Sequence, residues 1–236
     1  MPVAIITGAS KGLGRALAAG LAERGWDLVL DGRDGDALRS AVAELGRGPG
    51  GVPGRIEGVP GDVTDPGHRA ELVAAAAALG GVDLLVNNAS ALGAEPLVPL
   101  AELAAEGLRL ALETNVTAPL ALIAAVLPAL RAAGGAVINV SSDAAVEAYP
   151  TWGGYGASKA ALEQLSAVLA QEEPDIRVWW VDPGDLRTGL YAAAVPDDPD
   201  FADRPLPETV APAFLRLLDG KAASGRYTAE YLLEAR

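Results

Sequence analysis

Val3-Ala4-Ile5-Ile6-Thr7-Gly8-Ala9-Ser10-Lys11-Gly12-Leu13-Gly14 decides how the rest of the chain is read. The apolar run Val3 to Ile6 predicts a strand buried on both faces, as in a parallel sheet. Glycine-rich residues 8–14 follow, and an amphipathic helix then runs to about Arg24. The glycines permit a tight turn and close approach of the backbone to a bound group. The helix N-terminus adds free N–H groups and a partial positive charge. Strand, glycine turn and helix in that order form a cradle for a pyrophosphate.

Working outward, the same alternation repeats. Further strands are predicted at Trp26–Leu30, Arg55–Val59, Val82–Asn87, Ala136–Val140 and Ile176–Val181, with an edge strand near Arg226–Thr228. Helices are predicted at Asp36–Leu45, Pro66–Leu79, 99–112, 115–132, Tyr155–Ala170 and 208–218. Residues 46–54 read as a flexible loop, and 184–206, rich in Pro and Asp, as a loop with at most one short helix. The pattern implies a single-domain Rossmann-type fold, a doubly wound parallel β-sheet with helices on both faces. No linker or second core divides the 236 residues. Ligands of such sheets bind beyond the carboxyl ends of the strands.

Composition excludes several functions. A net charge of −13 opposes nucleic acid and anionic membrane surfaces. With no cysteine and one histidine, disulfides, thiolate chemistry and a His-rich metal centre are excluded, and no metal is expected. Met1 to Thr7 shows neither a basic region nor a cleavage site, which is compatible with the expected cytoplasmic location. The run Val116–Leu130 carries Pro119 and Pro128 and is shorter than the ~20 residues of a membrane span.

The motifs at the strand ends carry the chemistry. The second strand ends Leu30-Asp31-Gly32-Arg33. An acid at this end suits the ribose hydroxyls of NAD, and a basic group suits a 2′-phosphate. Lys11 and Arg33 can both reach such a phosphate. Alternation points Asp31 and Gly32 opposite ways, and Gly32 is taken as the deciding position, so NADP(H) is preferred over NAD(H). Tyr155 and Lys159, four apart, share a helix face. An ammonium beside a phenol favours phenolate, giving a group that trades protons with a carbonyl or alcohol. Ser142 closes the fifth strand, where its hydroxyl can hold a substrate oxygen. Asn115 is a polar residue in an apolar helix and wants a partner.

Taken together, these motifs resemble the short-chain dehydrogenase/reductase family in its single-domain branch, from Val3 to about Thr188. The resemblance implies that Gly8, Ser10, Lys11, Gly12, Leu13 and Gly14 hold the pyrophosphate, and that Asp62 and Val63 hold the adenine. It places Asn88 and Ala89 beside the cofactor, and Pro183, Gly184 and Thr188 at the nicotinamide. It makes Tyr155 the general acid/base, with Lys159 binding the ribose and lowering the tyrosine pKa. Ser142 would orient the carbonyl, and Asn115 would hold a water. Three departures stand out: Ser90 in place of a glycine, Asp143 after the serine, and the lack of a glycine-rich last strand.

Ala144, Tyr149, Trp152 and Leu190 are expected to line an apolar substrate side under a mobile, solvated lid at 189–206. The expected substrate is a small carbonyl or alcohol. A 3-oxoacyl group on carrier protein is the alternative within the family, disfavoured because an acidic enzyme repels an acidic carrier. A non-catalytic NADP(H) sensor, or a lyase or epimerase, are the readings outside it. By resemblance a homodimer or homotetramer is expected.

Overall fold

The computed structural model describes residues 1–46, 54–220 and 222–234. The glycine-rich loop expected over 46–54 lies outside the described residues except at its two ends. In chain order the elements are β1 (Val3–Ile6), α1 (Gly12–Glu23), β2 (Asp27–Gly32), α2 (Gly35–Leu45), β3 (Ile56–Pro60), α3 (Pro66–Leu79) and β4 (Leu84–Asn87). There follow α4 (Ala105–Leu112), a π turn (Glu113–Thr117), α5 (Ala118–Ala133), β5 (Ala136–Val140), a 3-10 turn (Asp143–Ala145), α6 (Gly153–Glu172) and β6 (Arg177–Asp182). The remainder is α7 (Gly189–Ala194), a 3-10 turn (Phe201–Asp203), α8 (Pro207–Asp219), β7 (Gly225–Thr228) and α9 (Ala229–Glu234).

The sheet order is β3-β2-β1-β4-β5-β6-β7, with every pair parallel. The order reverses between β1 and β4, and that switch point opens the cleft. Alternation along the strands feeds two cores. Ala4, Ile6, Leu30 and Val86 pack with Leu17, Leu21 and Phe214 on the α1 and α8 side. Val3, Ile5, Val29 and Val137 pack with Leu72, Leu122 and Val126 on the α3 and α5 side.

Several boundaries differ from expectation. Residues 99–104 form turns, because Ala104 is extended (φ −64°, ψ 142°) and starts a new helix. From Ala105 the helix runs unbroken to Ala133, so no cap or break falls at Asn115. It widens at Glu113–Thr117 instead, where the Ala118 N–H bonds the carbonyl five residues back. Pro119 has no N–H to give the Asn115 carbonyl, which therefore loses its α-helical donor. At 29 residues this helix is long and apolar enough to cross a membrane by length and composition, unlike the shorter run 116–130. Leu122, Ile123, Val126 and Leu130 nevertheless bury one side of it against the sheet. The last strand is present without a glycine-rich sequence, and α9 behind it was not anticipated.

Between the layers a polar chain is buried. Asn87 Nδ2 donates to Asn139 Oδ1 (2.8 Å), Asn139 Nδ2 to Ser166 Oγ (2.7 Å), and Ser166 Oγ to the Leu162 carbonyl (2.7 Å). It ties β4 to β5 and both to α6. Asn139→Ala strips the partner from Asn87 and Ser166 at once, so unfolding free energy should fall by about 2 kcal/mol. Urea denaturation measures it; a change below about 0.5 kcal/mol means the chain adds nothing to stability.

Candidate active site

The glycine turn is shaped by its neighbours. Gly8 and Gly12 have φ of +65° and +58°, where side chains are strained. A Cβ on Gly14 would sit 2.5 Å from both the Gly8 carbonyl oxygen and Asn88 Nδ2. Asn88 Nδ2 in turn donates to the carbonyls of Thr7 (2.8 Å) and Gly8 (3.1 Å). The Thr7 hydroxyl accepts the N–H groups of Asn88 and Ala89. These bonds clamp the end of β1 to the end of β4, with Ala89 against Gly8. Lys11 caps α1 with no side-chain hydrogen bond, so the first-turn N–H groups stay available for a phosphate. Leu13 and Gly14 are buried behind them. A Cβ on Gly12 would lie 3.6 Å from Thr188 Cγ2, which places the segment Pro183-Gly184 to Thr188 over the turn. Thr188 itself caps α7 by accepting from Tyr191 N (3.2 Å).

At the end of β2, Asp31 points into the protein, where it accepts the Gly8 N–H and meets His68. Gly32 lies under Ser10, with a Cβ there only 2.9 Å from Ser10 Oγ. Arg33 and Lys11 are exposed, and among the described residues Arg33 pairs with neither Asp31 nor Asp34. Asp34 instead caps α2. Burial raises the Asp62 carboxyl, but hydrogen bonds from Thr64 and the charge of Arg33 hold it below its ordinary value. Val63 is buried beside it. The glycine cradle, the open helix N-terminus and the exposed cations Lys11 and Arg33 fit a dinucleotide.

The reacting groups gather beyond β4, β5 and β6. Tyr155 and Lys159 are both buried, and Lys159 Nζ lies 5.5 Å from the Tyr155 ring centroid. It donates to the Val140 carbonyl (2.8 Å), which leaves two of its N–H bonds for another acceptor. Asn115 in the π turn is fully engaged. Its Oδ1 accepts from Ser90 Oγ (3.1 Å) and Ala91 N (2.8 Å), while Nδ2 donates to the Ala91 carbonyl and Ser158 Oγ (2.8 Å each). Ser142 donates to Asp143 Oδ1 (3.0 Å) and accepts from Ala144 N (3.1 Å), and among the described residues no hydrogen bond joins it to Tyr155.

The expected lowering of the tyrosine pKa by Lys159 is not what the structure shows. Burial pushes the Tyr155 phenol well above its ordinary value, the Ser90 hydroxyl opposes this, and Asp182 and Asp143 push it further up. Burial moves the Lys159 ammonium the other way, down to about 8.

On the substrate side, Trp152 meets Tyr155 edge to face at 5.6 Å, and Ala144 packs with Tyr155, Leu92 and Ala194. Tyr149 and Leu190 lie exposed at the rim, and the Tyr149 hydroxyl donates to Asp143 Oδ2 (3.0 Å). The segment 189–206 is tied rather than loosely solvated. Arg204 pairs with Asp185 (3.1 Å) and Asp198 (3.0 Å) and lies over Tyr191, which stacks on Phe201. Sequence reasoning missed Leu92 and Ala194, whose apolar character is common to any core. It also missed Arg226 on β7. That guanidinium bonds Glu163 (2.9 Å) and the Ser142 carbonyl (3.4 Å) and faces Asp182 (3.6 Å), while Glu163 accepts from Ser141 Oγ (2.6 Å).

A parallel sheet with a glycine cradle at its switch point and a buried Tyr–Lys pair beyond β5 has the layout of a dinucleotide-binding oxidoreductase. The profile of the short-chain dehydrogenases matches residues 2–199, and the chain belongs to the short-chain dehydrogenase/reductase family. It is 36% identical to sepiapterin reductase from Xenopus laevis, covering 80% of this chain and 75% of that one. It is 34% identical to serine 3-dehydrogenase from Agrobacterium fabrum, covering 78% and 72%. Among solved structures it is similar to an alcohol dehydrogenase from Thermococcus sibiricus complexed with 5-hydroxy-NADP, at 29% identity, TM-score 0.86 and coverage of 97% and 95%. A putative short-chain dehydrogenase from Escherichia coli CFT073 complexed with NADPH gives 28%, TM-score 0.87 and coverage of 97% and 96%.

The buried ammonium has a cost that can be measured. With its pKa depressed to about 8, Lys159 carries the full desolvation penalty below that pH. Between about pH 8 and 10.5 the unfolded chain holds the extra proton, so stability rises with pH. Lys159→Met should therefore raise the thermal midpoint at pH 7, by at most about 3 kcal/mol in free energy, with the gain shrinking by pH 9.5. Thermal-shift curves at both pH values test it; a variant less stable at pH 7 contradicts the assigned penalty.

Proposed function

We propose that the chain is an NADP(H)-dependent oxidoreductase interconverting a small carbonyl compound and its alcohol, with Tyr155 as general acid/base. The observation that carries this is the buried pair of Tyr155 and Lys159 beside Ser142 and Asn115, at the open end of the sheet. When bound, the nicotinamide supplies or takes the hydride. Tyr155 holds the proton that a reduced carbonyl oxygen must receive, and burial keeps it there at neutral pH. Lys159 offers its two remaining N–H bonds to a ribose. Ser142 turns its hydroxyl from Asp143 to the substrate oxygen. The Asn115 side chain is spent on Ser90, Ala91 and Ser158, so its carbonyl, without an α-helical donor, holds the water that returns protons to Lys159.

Arg33 and Lys11 select the 2′-phosphate, and Gly32 leaves it room. The NADP-bound and NADPH-bound structures to which the chain is similar support that choice. Asp143, Asp182 and Asp185 make the pocket acidic, which favours a small substrate over an acidic carrier protein. The groove between α5 and α6, lined by Leu120, Ile123, Leu162, Leu165 and Val168, suits the face of a homodimer. The cytoplasm, where NADPH is available, is the proposed location.

NADPH absorbance with a panel of ketones and aldehydes tests the activity. Tyr155→Phe should lower turnover by roughly 10²–10⁴; unchanged turnover refutes the mechanism, and tight NADPH binding with no turnover on any substrate favours a sensor. Alcohol oxidation needs the proton removed from a phenol that burial holds protonated. Its rate should therefore climb through the alkaline range while carbonyl reduction stays flat near neutrality. Arg33→Ala should weaken NADPH at least about tenfold and NADH far less, as read by nicotinamide fluorescence. Equal losses rule out a 2′-phosphate contact.

A further inference from the structure

A second buried pair, Asp31 with His68, takes no part in the proposed chemistry. His68 is the chain's one histidine and stands in the first turn of α3. Its Nε2 lies 3.1 Å from Asp31 Oδ2, with the two side chains 4% and 3% exposed. The other carboxylate oxygen of Asp31 accepts the Gly8 N–H, and the Asp31 carbonyl accepts the Ala9 N–H (2.8 Å). The ring also packs on Gly61, where a Cβ would lie 2.2 Å from Nδ1. One imidazole thus touches the turn that leads to Asp62 and Val63 and, through Asp31, the turn that cradles phosphates.

A carboxylate only accepts hydrogen bonds, so Nε2 carries the proton that this contact uses. Nδ1 has no hydrogen-bond partner among the described residues. Such a buried, unsatisfied nitrogen is costly, and packing alone does not call for it. Asp31 stands one residue before Gly32, at the strand end that meets the cofactor's 2′ position. Here both oxygens of that acid are committed inward. Without His68 the carboxylate loses the one side-chain partner it has among the described residues. Its charge is then held less firmly inward and lies closer to a 2′-phosphate, which it opposes.

We propose that His68 is a positioning residue for cofactor choice. It holds Asp31 inward, which sets the Gly8–Ser10 backbone for phosphate and keeps the carboxylate charge from the 2′-phosphate, so it favours NADPH over NADH without touching either. This rests on the NADP(H) reading above.

Titration of the parent, His68→Gln and His68→Leu with NADPH and with NADH separates the claims. In His68→Leu the NADPH dissociation constant should rise about tenfold while that of NADH changes less than about threefold. His68→Gln, whose amide can still donate to Asp31, should keep most of the preference. No change in either affinity, or equal weakening of both, overturns the proposal, the second outcome marking a purely structural histidine. A parent protein with no preference for NADPH refutes the cofactor reading instead. Should His68→Leu fail to fold, ¹⁵N resonances of the single histidine in the parent protein decide. They should show a proton on Nε2 and move further on saturation with NADPH than with NADH. Resonances that stay still, or move alike with both, overturn it.

Discussion

A protonated amine removed from water is among the costliest groups a fold can hold, and the space around Lys159 is arranged to bear it. The end of β5 supplies a carbonyl, the face of Tyr155 lies alongside, and α6 brings both side chains to one place through their spacing. The same burial moves the two groups in opposite senses, the phenol up and the ammonium down. In the proposed reaction the strongly held phenolic proton goes to the substrate oxygen, and the neighbouring ammonium, whose proton is more easily shared, replaces it. The remaining features of the site serve that pair. The π turn delivers Asn115, the 3-10 turn delivers Ser142, and α7 closes Ala194 over the phenol.

Much of this was legible in the chain because parallel strands buried on both faces leave continuous apolar runs. Most of the six strands from Val3 to Val181 follow from those runs, the exception being Ile56–Pro60, which is half-exposed and carries Glu57 and Gly58, and the glycine turn marks which end faces the cleft. Tyr155, Lys159, Ser142 and Asn115 were legible because each sits at a fixed distance from a strand end or a helix start. Residues 99–104 misled because Ala, Glu and Leu favour helix locally, while the extended backbone at Ala104 ends that preference. The unbroken helix through Asn115 was hidden because a polar residue next to a proline looks like a break, and only tertiary packing turns it into a widened turn.

Long-range polar partners were not legible. Asp31 and Arg33 are near neighbours in sequence and opposite in charge. The fold instead sends Asp31 to a histidine 37 residues away and leaves Arg33 in solvent. The Asp-rich segment 197–203 read as a solvated loop. One arginine gathers two acids and an aromatic ring there, so charge density signalled cohesion and not looseness. The effect of Lys159 on Tyr155 was misjudged for a related reason. Spacing gives proximity, whereas the degree of burial depends on elements far apart in the chain.

The position of Arg226 bears on the chemical end of the sheet. It reaches Glu163, Asp182 and the backbone of Ser142 from β7, an edge strand among the described residues. Burial raises the Asp182 carboxyl, Glu163 adds to this, and the Arg226 charge opposes it. One guanidinium on an edge strand thus offsets two carboxylates held by α6 and β6, and a shift of that strand changes the field at the end of β6.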